Sequence, residues 1–372
     1  MSMKTFVKRL LDLTVSIQQI PAPTFAEAQR AQFVKGLFES EGLNNISMDT
    51  VGNVYAHLPG EGKGKPLVVS AHLDTIFPIE TDLTVSSKKD RIIGPGIGDN
   101  SLGVASLLGL VWLLRERGQS LPGDLWLVAN VCEEGLGDLR GMRAVVDRFD
   151  GEVQAYLVIE GLSLGYIQHR GLGVQRYRIT AKTAGGHSWS DYGRPSAVHE
   201  LSTLITKLTA IPLPEKPRTT MNVGRMGGGT SINAIASDAW LELDLRSESP
   251  QVLTELARTV EKLVETASTL SGTGRPEVRM EAEVIGRRPA GELPGSHPLV
   301  KLAEDCLKEQ GLEPKLIIGS TDANVPLSRG FPAVVLGVTN GAGAHTTGEF
   351  MYTAPVERGM QQLVQFVSRV WR

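Results

Sequence analysis

Hydrophobic residues in the first 170 positions follow two spacings that alternate along the chain. Apolar side chains that recur every three or four positions predict helices, and short unbroken apolar runs predict strands buried on both faces of a sheet. The predicted helices cover residues 1–20, 25–42 and 104–118. The predicted strands cover residues 54–60, 66–74, 125–134 and 155–161. Buried strands separated by helices indicate a mixed, largely parallel α/β sheet flanked by helices.

The pattern changes near Val174, where apolar and polar residues begin to alternate as in a half-exposed strand. The elements predicted from there are a strand at 174–183, a helix at 196–210, strands at 219–226 and 239–247, a helix at 249–268 and a strand at 277–285. Ser249 and Pro250 stand where an N-cap and a first-turn proline usually start a helix. This βαββαβ order is typical of a small self-contained layer of one sheet and two helices.

The first pattern resumes after Pro289. The predicted elements are a helix at 299–311, strands at 316–319 and 332–338, and a helix at 356–370. We therefore expect one large α/β domain interrupted by a smaller inserted one. The predicted boundaries give a first part at 1–173, the inserted domain at 174–287 and a second part at 288–372.

Composition excludes several classes of protein. The chain has 38 Lys and Arg against 41 Asp and Glu, a net charge of −3, so no basic field favours nucleic acid or an anionic membrane. Cys132 and Cys306 are too few for a disulfide framework or a cysteine-rich zinc site. Charged residues interrupt the apolar positions of the N-terminus, and no stretch of about 18 apolar residues follows. These features predict a cytoplasmic protein.

Residues capable of chemistry gather where the predicted strands end. They are His72, Asp74, Asp99, Glu133, Glu134, Glu160 and His345. In open α/β sheets the ligand crevice lies beyond the carboxyl ends of the strands, so we expect these side chains to converge. Taken singly, each has a plain structural explanation as a helix cap, a solvated charge or a structural histidine. Their occurrence together at one predicted edge favours a functional site.

Five carboxylates and two imidazoles cannot converge in one crevice as bare groups: either some carboxylates are protonated or cations lie among them. At about 4 Å two like charges repel by about 4 kcal/mol at an effective dielectric constant of 20. Mixed histidine and carboxylate ligands suit zinc, with cobalt or manganese as other occupants. The residues therefore predict two divalent metal ions, with one remaining glutamate free to act as a general base.

A serine hydrolase is a weaker alternative. Residues 161–165, GLSLG, fit the nucleophile-elbow pattern around Ser163, and histidines follow in the sequence. The elbow requires a strand, a sharp turn and then a helix. The residues after Ser163 have an extended pattern, which argues against this alternative.

The chain resembles the M20 metallopeptidases, a family that includes carboxypeptidase G2, peptidase T, aminoacylases and succinyl-diaminopimelate desuccinylase. The matching segments are SAHLDT (70–75), GIGDNSLG (96–103), CEEG (132–135), IEG (159–161), GGHSW (185–189), GGTSINAI (228–235), RRP (287–289), STDA (320–323) and GAHTTGE (343–349). They occur in the family's order and cover nearly the whole chain. The resemblance implies a zinc-exopeptidase-like fold.

The resemblance also implies roles for the strand-end residues. One metal would be held by His72, Asp99 and Glu160. The other would be held by Asp99, Glu134 and His345, so that Asp99 bridges the two. Glu133 would be the general base and acid, and Asp74 would accept a hydrogen bond from the ring of His72 and fix its tautomer.

In this family the inserted domain is a lid that usually also dimerises, which implies a homodimer and a catalytic role for the two outer parts. His187 would reach a substrate oxygen in the neighbouring subunit's site, while Asn233 and Arg288 would bind polar groups or a carboxylate of the substrate. The family divides between exopeptidases for small peptides and N-acyl amino acid deacylases. Residues 319–337 look more like the peptidases, which favours an exopeptidase and keeps the deacylase as the alternative. A degenerate relative that only binds peptides or dimerises is less favoured, because the base and every metal-type residue are retained.

Overall fold

The computed structural model of the protein describes residues 2–270 and 276–372. They form two compact units. The first combines Met1–Gly171 with Gly291–Arg372, and the second is Leu172–Ala290. The inserted domain expected from the sequence, 174–287, begins two residues later and ends three residues earlier than the second unit.

Helices α1–α9 and strands β1–β20 are numbered in chain order. The helices are α1 (Met3–Gln18), α2 (Ala28–Ser40), α3 (Gly103–Glu116), α4 (Arg140–Phe149), α5 (Ala197–Thr209), α6 (Pro250–Ala267), α7 (Pro298–Glu309), α8 (Asn324–Ser328) and α9 (Val356–Arg369). The strands up to the middle of the chain are β1 (Asn44–Met48), β2 (Val54–Leu58), β3 (Gly64–His72), β4 (Ser86–Ser87), β5 (Arg91–Ile93), β6 (Gly123–Asn130), β7 (Ala155–Glu160), β8 (Tyr166–Gly171), β9 (Gly173–Lys182) and β10 (Gly186–His187). The remaining strands are β11 (Thr219–Gly228), β12 (Ala234–Ile235), β13 (Asp238–Ser247), β14 (Thr269–Leu270), β15 (Pro276–Arg288), β16 (Gly291–Glu292), β17 (Lys315–Gly319), β18 (Ala333–Gly337), β19 (Gly341–Ala342) and β20 (Phe350–Tyr352).

The main sheet of the first unit has the strand order β1-β2-β6-β3-β7-β18-β8-β16, with β17 also paired to β8. Its centre is parallel, because β3 runs alongside both β6 and β7, and β18 runs alongside β7. The outer pairs are antiparallel. The fold class predicted from the apolar runs, a mixed and largely parallel sheet with helices, is confirmed.

The parallel centre places the ends of several strands at one edge. His72 ends β3 opposite Asn130, the last residue of β6. Glu160 ends β7 opposite Gly337, the last residue of β18. This register brings residues from distant parts of the sequence to the same edge of the sheet.

Helix α3 is the central helix of this unit. Its residues from Gly103 to Leu114 are all buried, which explains why its apolar pattern has no polar face. Among the described residues, the stretch Ile97–Glu116 is long and apolar enough to cross a bilayer, but it lies almost wholly inside the protein. A mostly buried helix of this kind is typical of an α/β core.

The second unit is built on an antiparallel sheet with the order β11-β13-β9-β15-β14. Residues of β13 alternate between buried and accessible positions. Helices α5 and α6 contribute their apolar faces to the core of this unit, with Leu201, Leu204, Leu256 and Val260 buried. Ser249 caps α6, accepting a hydrogen bond from the N–H of Val252, as the sequence predicts. A two-stranded ribbon, β10 with β12, completes the unit.

Candidate active site

The structure brings together the five residues predicted as metal ligands. His72 and Glu160 end two neighbouring strands, Asp99 lies in the turn that enters α3, Glu134 follows β6, and His345 lies between β19 and β20. His72 is 2% exposed, and the side chains of Asp99 and Glu160 are each 18% exposed. The imidazole of His345 is half-exposed, so the cluster opens to solvent on that side.

Asp99 divides its two oxygens between the two histidines. Its Oδ1 lies 3.2 Å from Nε2 of His72, and its Oδ2 lies 3.2 Å from Nε2 of His345. A carboxylate with this arrangement can serve two cations at once. This arrangement is compatible with the bridging role that the resemblance predicts for Asp99.

Each histidine also faces a second carboxylate. Nε2 of His345 lies 3.0 Å from Oε1 of Glu134, and Nε2 of His72 lies 3.8 Å from Oε2 of Glu160. Ligand atoms of His72, Asp99 and Glu134 all lie within 4.8 Å of one another. Nitrogen and carboxylate donors at these separations suit divalent ions such as zinc, cobalt or manganese. The residues present therefore fit a pair of metal ions.

Proximity changes the acidity of these groups in the metal-free protein. The carboxylates of Asp99 and Glu134 raise the pKa of His345 to about 10. Burial opposes protonation of His72, but Asp74, Asp99 and Glu160 outweigh it and raise the pKa of His72. Burial also raises the pKa of Glu160, with partial compensation from His72. For Asp99, the two imidazoles overcome burial and hold the pKa of its carboxyl well below its usual range.

Asp74 accepts more hydrogen bonds than the single one that the sequence analysis expects from the ring of His72. Nδ1 of His72 lies 3.0 Å from the main-chain oxygen of Asp74, and 3.5 Å from its Oδ1, so the peptide carbonyl is the nearer acceptor for the ring. The buried carboxylate accepts hydrogen bonds from the backbone N–H of Glu133 at 2.9 Å and of Glu134 at 2.8 Å. The hydroxyl of Thr24 donates a further bond to Oδ2 at 2.9 Å. Asp74 thus fixes the segment that carries both glutamates, and Glu133 is itself buried.

Two residues that the sequence analysis did not single out hold Asp99 in place. Glu349 is fully buried and accepts hydrogen bonds from the N–H groups of Gly96, Gly98 and Asp99 at 3.2, 2.7 and 2.8 Å. Burial raises the pKa of Glu349 to about 7. The side chain of Asn100 bonds to Gly161 N and to the main-chain oxygen of Ile159, both at the end of β7. Both residues stand within segments that carry the resemblance, which is the signal that could have found them.

A buried pair lies at the end of the neighbouring strand. Asn130 donates a hydrogen bond of 2.8 Å to Oδ2 of Asp322, and both side chains are fully buried. Burial raises the pKa of Asp322 to about 7, opposed by the charge of His72 and the bond from Asn130. Asp322 belongs to the STDA segment, but its sequence gives no sign of this contact.

The predicted substrate-binding residues lie in the second unit. His187 in β10 is opposite Ala234 in β12, next to Asn233. Nδ1 of His187 accepts hydrogen bonds from the N–H groups of Trp189 and Ser190 at 3.2 and 3.5 Å, which leaves its exposed Nε2 as the proton-bearing nitrogen. Arg288 is buried at the end of β15, opposite Val174.

The surroundings of Ser163 do not form a nucleophile elbow. Strand β7 ends at Glu160, and β8 begins at Tyr166, so Ser163 lies in a short connection between two strands. The helix that the elbow requires does not follow it. The structure thus agrees with the extended pattern in the sequence.

Comparison with known proteins identifies the family. A model of peptidase family M20/M25/M40 matches residues 68–369. Succinyl-diaminopimelate desuccinylase of Corynebacterium glutamicum is 26% identical over 354 residues, which cover 93% of this chain and 92% of that protein.

Solved structures share the fold. Aminopeptidase PepT from Bacillus cereus matches with a TM-score of 0.80 at 22% identity, over 98% of this chain and 99% of that one. The YXEP protein of Bacillus subtilis, a dinuclear metal binding peptidase from the M20 family, matches with a TM-score of 0.69 at 18% identity, over 98% of each chain. The resemblance seen in the motifs is therefore confirmed. Because the family model spans every metal-type residue from His72 to His345, the chain belongs to peptidase family M20/M25/M40 and is an enzyme that hydrolyses amide or peptide bonds.

Proposed function

We propose that the protein is a two-metal exopeptidase for small peptides. The observation that carries the proposal is the division of the two Asp99 oxygens between His72 and His345. One ion would be held by His72, Asp99 and Glu160. The other would be held by Asp99, Glu134 and His345. Zinc suits these ligands best, with cobalt or manganese as substitutes.

When bound, such ions supply Lewis-acid polarisation of a carbonyl oxygen and lower the pKa of water towards 7. The protein's own residues then have the remaining work. Glu133 is the base that takes a proton from the attacking water onto its carboxylate and returns it to the leaving nitrogen. Asp74 supports this role, because it holds the backbone N–H groups of Glu133 and Glu134. Ring orientation at His72 is fixed through the main-chain oxygen of Asp74.

Residues of the second unit would recognise the substrate. We assign the exposed Nε2–H of His187 to the substrate carbonyl oxygen, where it stabilises developing negative charge. Asn233 binds polar groups of the substrate, and the guanidinium of Arg288 binds its carboxylate. We further propose that the second unit is a lid that forms a homodimer and brings His187 to the partner's site. We place the enzyme in the cytoplasm, where the buried free thiols of Cys132 and Cys306 stay reduced.

A deacylase of N-acyl amino acids is the second candidate. It is favoured by the similarity to succinyl-diaminopimelate desuccinylase along almost the whole chain. The fold also matches that of aminopeptidase PepT, over 98% of this chain and 99% of that one. A dipeptide and an N-acyl amino acid both present an amide next to a carboxylate, so the same catalytic residues can serve either reaction.

The test is an assay of a substrate panel. The protein is stripped with a chelator, reconstituted with zinc, cobalt or manganese, and offered dipeptides, tripeptides and N-acyl amino acids. We expect hydrolysis that requires metal, fastest on peptides. Faster turnover of N-acyl amino acids would establish the deacylase instead. Full activity after complete metal removal would contradict both.

A further inference from the structure

Four consecutive backbone N–H groups after β6 are each held by a side-chain oxygen. Val131 N donates to Oδ1 of Asn53 at 3.0 Å, and Cys132 N donates to Oε1 of Glu27 at 3.0 Å. The next two donate to the carboxylate of Asp74, as described above. A segment that leaves a sheet loses its ladder partners, and here buried side chains from three separate parts of the chain replace them.

The held segment contains a strained residue. Cys132 has a φ of +57°, a left-handed conformation that residues other than glycine rarely adopt. Such a conformation persists only where surrounding contacts enforce it. It turns the chain between Asn130, the last residue of β6, and Glu133, and therefore sets the direction in which the proposed base leaves the backbone.

Glu27 is the acceptor at this strained position. It lies just before α2, is 5% exposed, and its Oε1 lies 3.5 Å from Sγ of Cys132 as well as 3.0 Å from the N–H. Burial beside the carboxylate of Asp74 disfavours a charge on Glu27, and the buried guanidinium of Arg30 offsets part of this cost. The side chain places one oxygen, Oε1, as the acceptor for the N–H of Cys132.

We propose that Glu27 is a positioning residue for the base: it holds the Cys132 peptide in its left-handed conformation and thereby aims Glu133 at the reacting amide. This inference rests on the proposed role of Glu133. Glu27 acts through the backbone of Cys132, the residue that precedes Glu133. Its function depends on the position of one oxygen atom rather than on charge.

Two substitutions separate position from charge. Glu27→Gln keeps an oxygen at the same reach without the charge, and Glu27→Asp keeps the charge but withdraws the oxygen by one methylene. We expect Glu27→Gln to retain nearly wild-type kcat. Glu27→Asp should lower kcat by about 10- to 100-fold, the usual effect of displacing a supporting partner, with KM and metal content little changed. Glu39→Asp, the same change at an exposed position of α2, is the matched control and should behave as wild type.

A second measurement does not depend on turnover. Hydrogen exchange of the Cys132 and Glu133 amides, followed by mass spectrometry on the metal-free protein, should be accelerated in Glu27→Asp and unchanged in Glu27→Gln. Wild-type kcat and slow exchange in Glu27→Asp would overturn the proposal. So would a large loss of kcat in Glu27→Gln with slow exchange, because charge would then be the property that matters. If Glu27→Asp does not fold, Glu27→Met, which fills the space without an acceptor oxygen for the N–H of Cys132, takes its place. Glu27→Met should show the same loss of kcat and the same faster exchange, and wild-type values for both would overturn the proposal.

The outcome is separable from that of the proposed function. An active Glu133→Gln enzyme would remove the base assignment whatever Glu27 does. An inactive Glu133→Gln enzyme beside a fully active Glu27→Asp enzyme would remove only the inference about Glu27.

Discussion

At the scale of single residues, the site depends on buried side chains that fix the backbone of the site residues by hydrogen bonds. Asp99 faces both histidines because Glu349 binds its N–H and Asn100 ties the same turn to the end of β7. Asp74 similarly fixes the N–H groups of Glu133 and Glu134. Partners of this kind orient ligands and tune their basicity, so a site of this type extends well beyond the atoms that touch metal.

The assignment of the base is tested by Glu133→Gln. This change removes the proton acceptor and keeps the size of the side chain. We expect kcat to fall by about 10²- to 10⁴-fold, the usual contribution of general acid–base catalysis, while the metal content measured by elemental analysis stays at the wild-type level. A kcat close to that of the wild type would refute the role of Glu133.

The shared position of Asp99 is tested by Asp99→Ala. Because its two oxygens face different histidines, we expect the variant to lose both metal ions rather than one. Metal stoichiometry after dialysis measures this directly. Retention of one or two ions per chain would contradict a bridging Asp99.

Metal affinity should rise with pH. Asp99 and Glu134 raise the pKa of His345 from an ordinary 6.5 to about 10, and a metal requires the unprotonated nitrogen. Below that pKa binding displaces a proton, so the apparent association constant should increase about tenfold per pH unit. Competition with a chromophoric chelator over this range measures the slope. A flat profile would show that His345 binds no metal.

The folding stability of the metal-free protein should fall as pH rises. The pKa of His345 is about 10 in the folded protein and 6.5 in the unfolded chain, so His345 stabilises the fold fully below pH 6.5. This stabilisation is lost as pH rises towards about 10. His345→Ala, which lacks the group, is the control for both measurements.

The convergence of the strand-end residues could be predicted, because their types and their positions after apolar runs can be read directly from the sequence. Glu349 and Asp322 were not predicted as site residues, although both stand in segments that carry the resemblance. Each makes its hydrogen bonds to residues more than 190 positions away in the sequence. A buried carboxylate that binds backbone N–H groups has no sequence pattern of its own. Glu27 and Asn53 are of the same kind.

At the scale of elements, α9 packs so closely on the end of β18 that Gly359 in α9 leaves no space for a larger residue. A Cβ atom at Gly359 in α9 would lie 1.8 Å from the main-chain oxygen of Val338, just after β18. Backbone cannot move aside as a flexible side chain can. By contrast, a Cβ at Gly36 in α2 would meet nothing within 4 Å.

These two glycines form a matched pair of predictions. Gly359→Ala should destabilise the protein by about 1–3 kcal/mol through overpacking. Gly36→Ala should stabilise it by about 0.5–1 kcal/mol, because alanine loses less conformational freedom in a helix. The midpoint of urea unfolding measures both. A destabilised Gly36→Ala together with an unaffected Gly359→Ala would contradict the packing described for α2 and α9.

Long periodic elements were predictable, and short or uncapped ones were not. Helix α4 is preceded by Asp138 and Leu139, both in left-handed conformations, and has no side-chain N-cap, so nothing in the sequence marks its start. The two-residue strands β4, β10 and β16 are too short for a period. The insertion of β18 between β7 and β8 was also unpredictable, because apolar strands of similar length fit the centre of a sheet interchangeably.

At the scale of the whole molecule, the proposed role of the second unit requires two chains. If His187 of one subunit serves the site of the other, His187→Ala and Glu133→Gln should each be nearly inactive alone. Mixed and allowed to exchange subunits, they should regain part of the activity, because one site in each mixed dimer has both residues intact. Enzyme assay with sedimentation analysis of the mixture tests this. Absence of recovery in proven mixed dimers would confine His187 to its own chain or remove it from the reaction.

The order of strands in the first unit has a consequence for synthesis on the ribosome. Strand β18 lies between β7 and β8, yet it is made only after the whole of Leu172–Ala290 has been translated. The second unit is therefore complete, and free to fold, while β7 still has an open edge and His345 does not yet exist. Nascent chains with an unpaired apolar strand at the centre of a sheet are prone to aggregate. We expect chaperones to bind the nascent chain while residues 172–333 are being translated. The metal centre should be the last part of the protein to form.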